Sequence, residues 1–239
     1  MEDPRPLGQM LDDWTPATVP PRDLVLSGRL VRAEPLTPAH ATDLFAQWQG
    51  HDWLWDYMPV GPFADADAYG AWIASVQGDP AVLFLALCDV QTGRALGVAS
   101  YLNIVPGNGS IEVGNICFSP ALQGSPAATE AMVLMMGWAF ANGYRRYEWK
   151  CNALNLPSRR AAQRLGFGYE GVFVRHMVVK GRNRDTAWFA IPDDRWGPLK
   201  AAYDRWLSPA NFDEEGRQIT RLSALTAPLR AADPALDLD

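Results

Sequence analysis

The chain has 239 residues, 48% of them hydrophobic and 20% charged, which predicts a folded domain with a sizeable core rather than a disordered chain. The net charge of −6 argues against a nucleic-acid-binding surface, which usually shows an excess of basic residues. The acidic, proline-rich N-terminus lacks the apolar core of a signal peptide, and no apolar run reaches the roughly 18 residues of a membrane span. We therefore expect a cytoplasmic protein without a nucleic-acid or membrane partner.

In the first half of the chain, the sequence predicts one strand, then two helices, and then three further strands. An extended, proline-rich leader covers residues 1–28, a strand is predicted over 29–36, and a helix runs from Thr37-Pro38 to about Gln49. The segment 51–63 is aromatic and loop-like, and a second helix is predicted over 65–77. Three strands follow over 82–88, 95–104 and 110–118, with turns at 89–93 and 107–109.

The second half alternates helices with strands. A long helix is predicted over 123–142 and a short one over 156–165, each ended by a glycine, with a strand over 147–152 between them. Strands over 167–179 and 186–191 precede a C-terminal helix over 193–206 and a tail expected to fray. This order predicts an α/β fold with a mixed sheet and helices on both faces, in one domain over 29–192, with a C-terminal helix and tail in 193–239.

The three cysteines, Cys88, Cys117 and Cys151, each lie in an apolar, strand-like setting, and no CxxC spacing occurs. This pattern is typical of buried, reduced thiols in a cytosolic protein. The cysteines and histidines do not occur at the spacings typical of metal ligands, so no metal is expected.

The segment that joins the strand over 110–118 to the long helix has no bulky apolar side chain. Its sequence is Gln123-Gly124-Ser125-Pro126-Ala127-Ala128-Thr129. A helix N-terminus presents unpaired N–H groups and the positive end of the helix dipole, and small residues let an anion approach them. The segment suits a pyrophosphate cradle, with tight packing of the helix on the sheet as the alternative.

A second segment, NLPSRRAAQRLGF over 155–167, follows the next strand. The two segments together resemble motifs of the GNAT superfamily of acyl-CoA-dependent N-acetyltransferases. The first is similar to the Q/R-x-x-G-x-G/A pyrophosphate loop, and the second to the N-x-x-S-x-x-x-A-x-x-x-G-F segment, most closely that of the RimJ/RimL-like branch. Residues 170–191 are similar to that branch's closing hairpin. The resemblance covers roughly residues 29–192 and implies a GNAT-like fold with a largely antiparallel, splayed sheet.

The resemblance implies that acetyl-CoA lies in the V between the strands over 110–118 and 147–152. It assigns the thioester carbonyl to a backbone N–H among Ile116, Cys117 and Phe118. It assigns the pyrophosphate to the amides of Gln123, Gly124, Ser125, Ala127 and Ala128, with the Thr129 hydroxyl as a further donor. Pro126 departs from the pattern, because proline replaces a glycine and offers no N–H, although proline is preorganised for a first helical turn.

In the second motif, the resemblance places Asn155 at the pantetheine arm and Ser158 near the cofactor sulfur, where a hydroxyl can donate to the leaving thiolate. The alternative for Ser158 is a serine that binds local amides at the helix start. Arg159 is a candidate for the 3′-phosphate, as are Arg160 and Arg164, and solvated side chains are the alternative.

The general base has two candidates. Glu112 is a charged residue in an apolar strand, where alternation puts it on one face with Gly114 and Ile116, opposite Val113, Asn115 and Cys117. Some relatives use a glutamate in this strand as the base; an arginine-paired or solvent-facing glutamate is the alternative.

The second candidate is His176, whose side chain titrates in a useful pH range. In the ribosomal-protein branch, a glutamate of the closing hairpin has this role, but that position falls on Met177 here. A regular strand would turn His176 to the opposite face, so a water relay without a protein base stays open.

The substrate side is expected in the aromatic segment, at Trp53, Trp55, Asp56 and Tyr57. Aromatic rings and a carboxylate suit a cationic amine, although such rings also attach helices to a sheet. The resemblance implies an acetyl-CoA-dependent N-acetyltransferase acting on a small-molecule or peptide amine in a ternary complex. A non-catalytic acyl-CoA-binding module and an interaction protein are the alternatives, and exposed strand edges are compatible with a homodimer.

Overall fold

The computed structural model describes residues 6–236, so the ends of the predicted leader and tail, residues 1–5 and 237–239, lie outside the described residues. An eight-stranded sheet with the order β1-β2-β3-β4-β5-β6-β8-β7 forms the centre. The strands are β1 (Leu26–Ser27), β2 (Val31–Pro35), β3 (Val82–Asp89), β4 (Ala95–Val105), β5 (Ser110–Phe118), β6 (Arg146–Asn152), β7 (Gly168–Val179) and β8 (Arg182–Pro192). The helices are α1 (Ala41–Trp48), α2 (Ala66–Val76), α3 (Pro126–Ala141), α4 (Leu156–Arg164), α5 (Asp193–Leu207) and α6 (Leu222–Thr226).

Neighbouring strands pair antiparallel except β5 and β6, which run parallel. Their pairing extends only from Ser110 opposite Arg146 to Val113 opposite Trp149. Since β5 continues to Phe118 and β6 to Asn152, the two strand ends splay apart and leave their facing backbone groups free of sheet partners. The predicted mixed, largely antiparallel and splayed sheet is confirmed.

Two hydrophobic cores cover the two faces of the sheet. Alternation along β3 sends Leu85 and Leu87 into the larger core, which includes α3, and sends Ala86 and Cys88 into the smaller core, which includes α1 and α2. Helices therefore lie on both faces, as predicted. Among the described helices, none is both long and apolar enough to cross a membrane.

A β-bulge interrupts β5 near its splayed end. Asn115 has φ +50, and the register with β4 shifts between the pairs Ser100–Gly114 and Val98–Cys117. Because the extra residue reverses the alternation, Val113 packs in the larger core and Cys117 in the smaller one. The prediction that Val113 and Cys117 share a face is wrong for this reason.

The C-terminal tail packs against the domain instead of fraying. A 3₁₀ turn at Pro209–Asn211 and α6 follow α5, and Leu222 and Thr226 are buried. Asp233 is fully buried and binds Arg159 of α4. The sequence of the tail is polar overall, but these few buried side chains are enough to hold it in place.

Candidate active site

Two cavities meet at the gap between β5 and β6. The α3-side cavity, about 890 Å³, is bordered by the end of β5, the turn before α3, α4 and the C-terminal segment. The hairpin-side cavity, about 420 Å³, is bordered by the loop over 53–59, the middle of β5 and β6, and the β7–β8 hairpin. Ile116, Trp149, Asn155 and Ser158 line both cavities, so a ligand in one can meet a ligand in the other at these residues.

The turn before α3 is shaped by one glycine and one serine. Gly124 has φ +70, and a Cβ built there would meet nothing within 4 Å, so the space beside its backbone is open. The Ser125 Oγ caps α3 by accepting the Ala128 N–H at 3.1 Å, and Pro126 is the first helical residue. The cap explains why a serine precedes a proline here.

Several amides of this turn are already used. Gln123 donates its N–H to Ser119 O, Ser125 donates to Leu122 O, and Ala128 donates to the serine cap. Within residues 6–236, the N–H groups of Gly124 and Ala127 have no recorded acceptor. These two amides can bind an anion, as the first N–H groups of a helix can, and the alternative of tight packing stays open.

Arg164 brings a positive charge to the same place. Its Nη1 donates to Thr129 Oγ1 at 2.9 Å, and its guanidinium lies 4.8 Å from the Trp206 ring centroid. Burial lowers the pKa of Arg164, and the described residues provide it with no ion pair. The predicted Thr129 hydroxyl thus holds an unneutralised arginine at the edge of the α3-side cavity.

Arg159, the arginine proposed for the 3′-phosphate, lies elsewhere. It is 5% exposed, its Nε donates to Asp233 Oδ2 at 2.7 Å, and it lines none of the cavities. Arg160 is exposed and lines neither cavity. The assignment to Arg159 is therefore corrected. Arg159 forms an ion pair with Asp233 of the tail, and Arg164 of the same helix lines the cavity instead.

Among the three residues at the end of β5, Phe118 presents its amide to the gap. Ser119 donates its N–H to Leu96 O of β4 at 3.0 Å, and Phe118 lies opposite Gly97 of the same strand. In an antiparallel ladder, alternate residues point their N–H groups in opposite directions. The Phe118 N–H therefore points away from β4, into the gap beside Ile116 and Cys117.

Ser158 lies at the junction of the cavities. Asn155, the N-cap of α4, accepts the Ser158 N–H at 3.1 Å, and the Ser158 Oγ accepts the Trp149 indole N–H at 3.1 Å. With the indole as its donor, the hydroxyl oxygen is fixed in place, and its own proton can point to the Cys151 sulfur or to a ligand. Asn155 is thus the residue that caps the helix, the Ser158 hydroxyl binds an indole instead of a local amide, and its place near the cofactor sulfur stays a prediction.

Glu112 is 2% exposed and lines the hairpin-side cavity. Its carboxylate lies 3.0 Å from Lys150 Nζ and accepts the Asn103 amide at 2.7 Å. Burial raises the pKa of Glu112, although Lys150 and Asn103 act in the opposite direction. A buried carboxylate with a raised pKa beside a cavity has the chemistry of a proton acceptor, and its partner is a lysine rather than the arginine considered above.

His176 lies outside the cavities. It is exposed on β7, where its Nδ1 lies 3.0 Å from Thr186 Oγ1 and its ring packs against Phe173 and Trp188. Its neighbour Met177 lines the hairpin-side cavity instead. The structure does not bring His176 to the reaction centre.

The aromatic loop contributes three of the four predicted side chains to the hairpin-side cavity: Trp53, Asp56 and Tyr57. Trp55 is buried in the smaller core, with its ring centroid 5.0 Å from that of Trp48, so its assignment to the substrate site is corrected. Two hydrogen bonds hold the loop in place. Lys180 of the hairpin donates to Trp55 O at 2.9 Å, and the Tyr57 hydroxyl donates to Leu154 O at 3.3 Å.

Sequence reasoning missed several residues of the site. Lys150 and Arg184 line the hairpin-side cavity, and the C-terminal segment contributes Trp206, Phe212, Gln218 and Arg221 to the other. Lys150 carried a usable signal, because a cation between the apolar residues of a predicted strand points to a buried ion pair. The C-terminal residues carried none, since only the folded tail brings them to α4.

Glu34, His40 and Cys88 bring three metal-binding atom types within 4.8 Å of one another. His40 Nδ1 accepts the Thr37 N–H at 3.1 Å, so the ring proton lies on Nε2, which is 3.1 Å from Glu34 Oε1. A metal ligand needs a free lone pair on that nitrogen. This cluster therefore serves as the cap at the start of the first helical segment.

The sequence model of the acetyltransferase (GNAT) domain family matches residues 31–168. The chain belongs to this GNAT acetyltransferase family. A GCN5-related N-acetyltransferase from Brucella melitensis is 42% identical, with 91% of this chain and 100% of that chain covered and a TM-score of 0.87. A GNAT-family protein from Chromobacterium violaceum is 38% identical, with 81% and 98% covered and a TM-score of 0.76.

A more distant solved structure, a ribosomal-protein-S5-alanine acetyltransferase from Vibrio fischeri, is 17% identical over 73% of this chain and 99% of its own, with a TM-score of 0.58. It shows a shared fold. No curated protein matches the chain. The C-terminal wall of the α3-side cavity lies beyond the region matched by the family model.

Proposed function

We propose that this GNAT protein is an acetyl-CoA-dependent N-acetyltransferase that moves an acetyl group to a primary amine of a small molecule or peptide by direct attack in a ternary complex. The observation that carries the proposal is the gap between β5 and β6, where two cavities meet at Ser158. One cavity has features for an anionic cofactor and the other has a buried carboxylate for an amine.

The α3-side cavity fits the phosphates of CoA. The backbone beside Gly124 is open, the Gly124 and Ala127 amides have no recorded acceptor among the described residues, and Arg164 is an unneutralised cation. A diphosphate would bind both amides and the guanidinium at once. Pro126 supplies no N–H, but its ring is at the first helical position, where a proline is favourable.

Acetyl-CoA would supply the acyl group as a thioester. The Phe118 N–H is positioned to donate to the carbonyl oxygen, where negative charge develops as the amine attacks. The Ser158 hydroxyl can donate its proton toward the sulfur of the leaving group. Glu112 can accept the proton that the amine loses, directly or through water.

The RimJ/RimL-like branch is part of the proposal and is supported by the closing hairpin over 168–192. Met177 distinguishes this chain from ribosomal-protein relatives that use a glutamate there, so we assign the base to Glu112. A non-catalytic acyl-CoA-binding module is the second candidate, favoured by Pro126 in the cradle and by the Lys150 ion pair that competes for Glu112.

The test has two steps. Calorimetric titration of acetyl-CoA into the purified protein should give saturable binding, and release of free thiol should follow on addition of an acceptor from a panel of amines and peptides. Binding without turnover of any amine would favour the binding module. Neither binding nor turnover would contradict the proposed function.

A further inference from the structure

Arg184 of β8 is a half-buried cation without a counter-ion. It lines the hairpin-side cavity, its Nε is buried without an acceptor, and no salt bridge to it occurs within residues 6–236. Burial lowers the pKa of Arg184, although the nearby Cys151 and Glu112 act in the opposite direction, and neither forms a salt bridge with it. A guanidinium held in this way is an incomplete site, since buried polar groups normally have partners.

The strand pairing explains why Arg184 is unpaired. Met177 of β7 lies directly opposite Arg184 and lines the same cavity. A carboxylate at that cross-strand position would neutralise the guanidinium, as opposite charges do across a ladder. The methionine leaves the charge of Arg184 to a group that comes from outside the chain.

The other charged residues of the cavity indicate which kind of ligand carries the anion that binds Arg184. Glu112 and Lys150 neutralise each other at 3.0 Å. Asp56 is exposed at the loop side of the cavity and, like Arg184, makes no salt bridge among the described residues. The unpaired charges of the cavity are thus one carboxylate and one guanidinium, which match the ammonium and carboxylate of a zwitterion.

We propose that Arg184 binds a carboxylate of the acceptor, which makes the acceptor an amino acid or a closely related amine that carries a carboxylate. The inference rests on the proposed function and narrows its substrate class. A planar guanidinium forms paired hydrogen bonds with a carboxylate, which fixes the orientation of the substrate as well as its position.

The carboxylate takes no part in the bond changes. The amine nitrogen forms a C–N bond with the acetyl carbon, the C–S bond breaks, and the sulfur keeps the electron pair. The bound ammonium loses two protons in all, one to Glu112 or water before the attack and one as the amide forms; the thiolate gains one proton and leaves as a thiol, and the other proton goes to solvent. Arg184 holds the acceptor while this exchange occurs and is a binding residue.

The experiment compares amines that differ only in the carboxylate. The standard amino acids and their carboxamides are assayed in pairs with acetyl-CoA by release of free thiol. We expect at least one pair in which the free acid exceeds its amide in kcat/KM by about tenfold to a hundredfold, the worth of a charged hydrogen-bonded pair. Arg184→Gln should remove this preference mainly by raising KM for the acid.

Two further variants separate recognition from folding. Met177→Glu places a carboxylate opposite Arg184 and should abolish the preference while the guanidinium remains. Arg182→Gln removes the same charge from an exposed position of the same strand that does not line the cavity, and should leave the preference intact. Acetyl-CoA affinity should be the same in all of these proteins.

Each other result overturns the inference. Equal rates for acids and amides would do so, as would equal losses for both in Arg184→Gln, or acetylation only of amines without a carboxylate. A tighter, Arg184-dependent binding of succinyl-CoA than of propionyl-CoA would place the carboxylate on the donor instead of the acceptor. In all these cases acetyl-CoA still binds, whereas loss of that binding in the unaltered protein would remove the proposed function itself.

Discussion

The arginines and lysine of the site differ in what neutralises them. Lys150 is paired with Glu112, and Arg159 is paired with Asp233, so both charges are used within the fold. Arg164 and Arg184 have no carboxylate among the described residues, and each lines one of the two cavities. The fold therefore keeps unpaired cations in both cavities, since Arg221 also lines the α3-side cavity without a salt bridge among the described residues, and we assign their partners to the cofactor and to the acceptor.

Glu112 gives a prediction on pH dependence. A base must be ionised to act, and burial raises the pKa of this carboxyl, so kcat/KM should rise with pH along an acid limb that lies above the usual carboxyl range of about 4.3. Glu112→Gln should lower kcat/KM by about a hundredfold or more and remove that limb, with the acetyl-CoA affinity unchanged. Initial rates measured between about pH 5 and 9 check this.

Glu148→Gln is the matched control. Glu148 lies opposite Glu112 in the parallel pair, but it binds Arg146 at 2.5 Å and lines neither cavity. Its variant should keep the rate and the acid limb, with the limb moved to lower pH because the charge of Glu148 contributes to the raised pKa of Glu112. An unchanged limb in Glu112→Gln would mean that the limb belongs to another group, such as the acceptor amine, and that Glu112 is not the base.

At single positions, the sequence located the motifs of the site, but it did not predict which side chains of each motif face the cavities. The motif located Asn155 and Ser158, and both line the two cavities. Arg159 and Arg164 could not be distinguished, because the choice depends on Asp233, which is 74 residues away from Arg159 in sequence. The side chains of His176 and Trp55 have suitable chemistry for the site, but their neighbours Met177 and Asp56 line the hairpin-side cavity instead.

At the scale of elements, the turn before α3 combines a positive φ with an open backbone. Valine at Gly124 would strain a φ of +70 and put a branched side chain into the space that the cofactor phosphates need. We expect Gly124→Val to weaken acetyl-CoA binding at least tenfold by calorimetry. The reason is steric, so alanine at this position should have a smaller effect.

Gly93 provides the control for backbone strain. It lies in the turn between β3 and β4 with φ +71 and likewise has nothing within 4 Å of a built Cβ. Gly93→Val should lower the unfolding temperature about as much as Gly124→Val and leave the acetyl-CoA affinity unchanged. Equal affinities in the two variants would show that the turn does not hold the phosphates.

Most elements could be predicted because their hydrophobic periodicity is local. The β3–β4–β5 meander, α3 and α4 follow apolar patterns that end at turn residues or glycines. The bulge at Asn115 could not, since a single residue in the left-handed region leaves the strand pattern intact in sequence. That residue nevertheless decides which side chains at the end of β5 face the α3-side cavity and which face the smaller core.

At the scale of the whole molecule, the C-terminal segment completes both the fold and the site. Gln163 of α4 accepts the Asp233 N–H at 3.0 Å and donates to Phe167 O and Ala231 O, so the tail is fastened to the helix that carries Ser158. Trp206 and Phe212 meanwhile line the α3-side cavity. Contacts between residues this distant in sequence have no local pattern, so the sequence alone does not predict that the tail is ordered.

The Arg159–Asp233 pair should therefore be among the most costly to break. Its side chains are 6% and 0% exposed, and Asp233→Asn would leave a buried guanidinium without its counter-charge, a loss of about 3–5 kcal/mol in the free energy of unfolding. Urea denaturation checks this against Asp204→Asn, which breaks the exposed Lys200–Asp204 pair and should cost no more than about 0.5 kcal/mol. Replacing both Arg159 and Asp233 by leucine should cost less than Asp233→Asn, because no charge remains buried. If Asp233→Asn and Asp204→Asn unfold at the same urea concentration, the tail does not stabilise the domain through this pair.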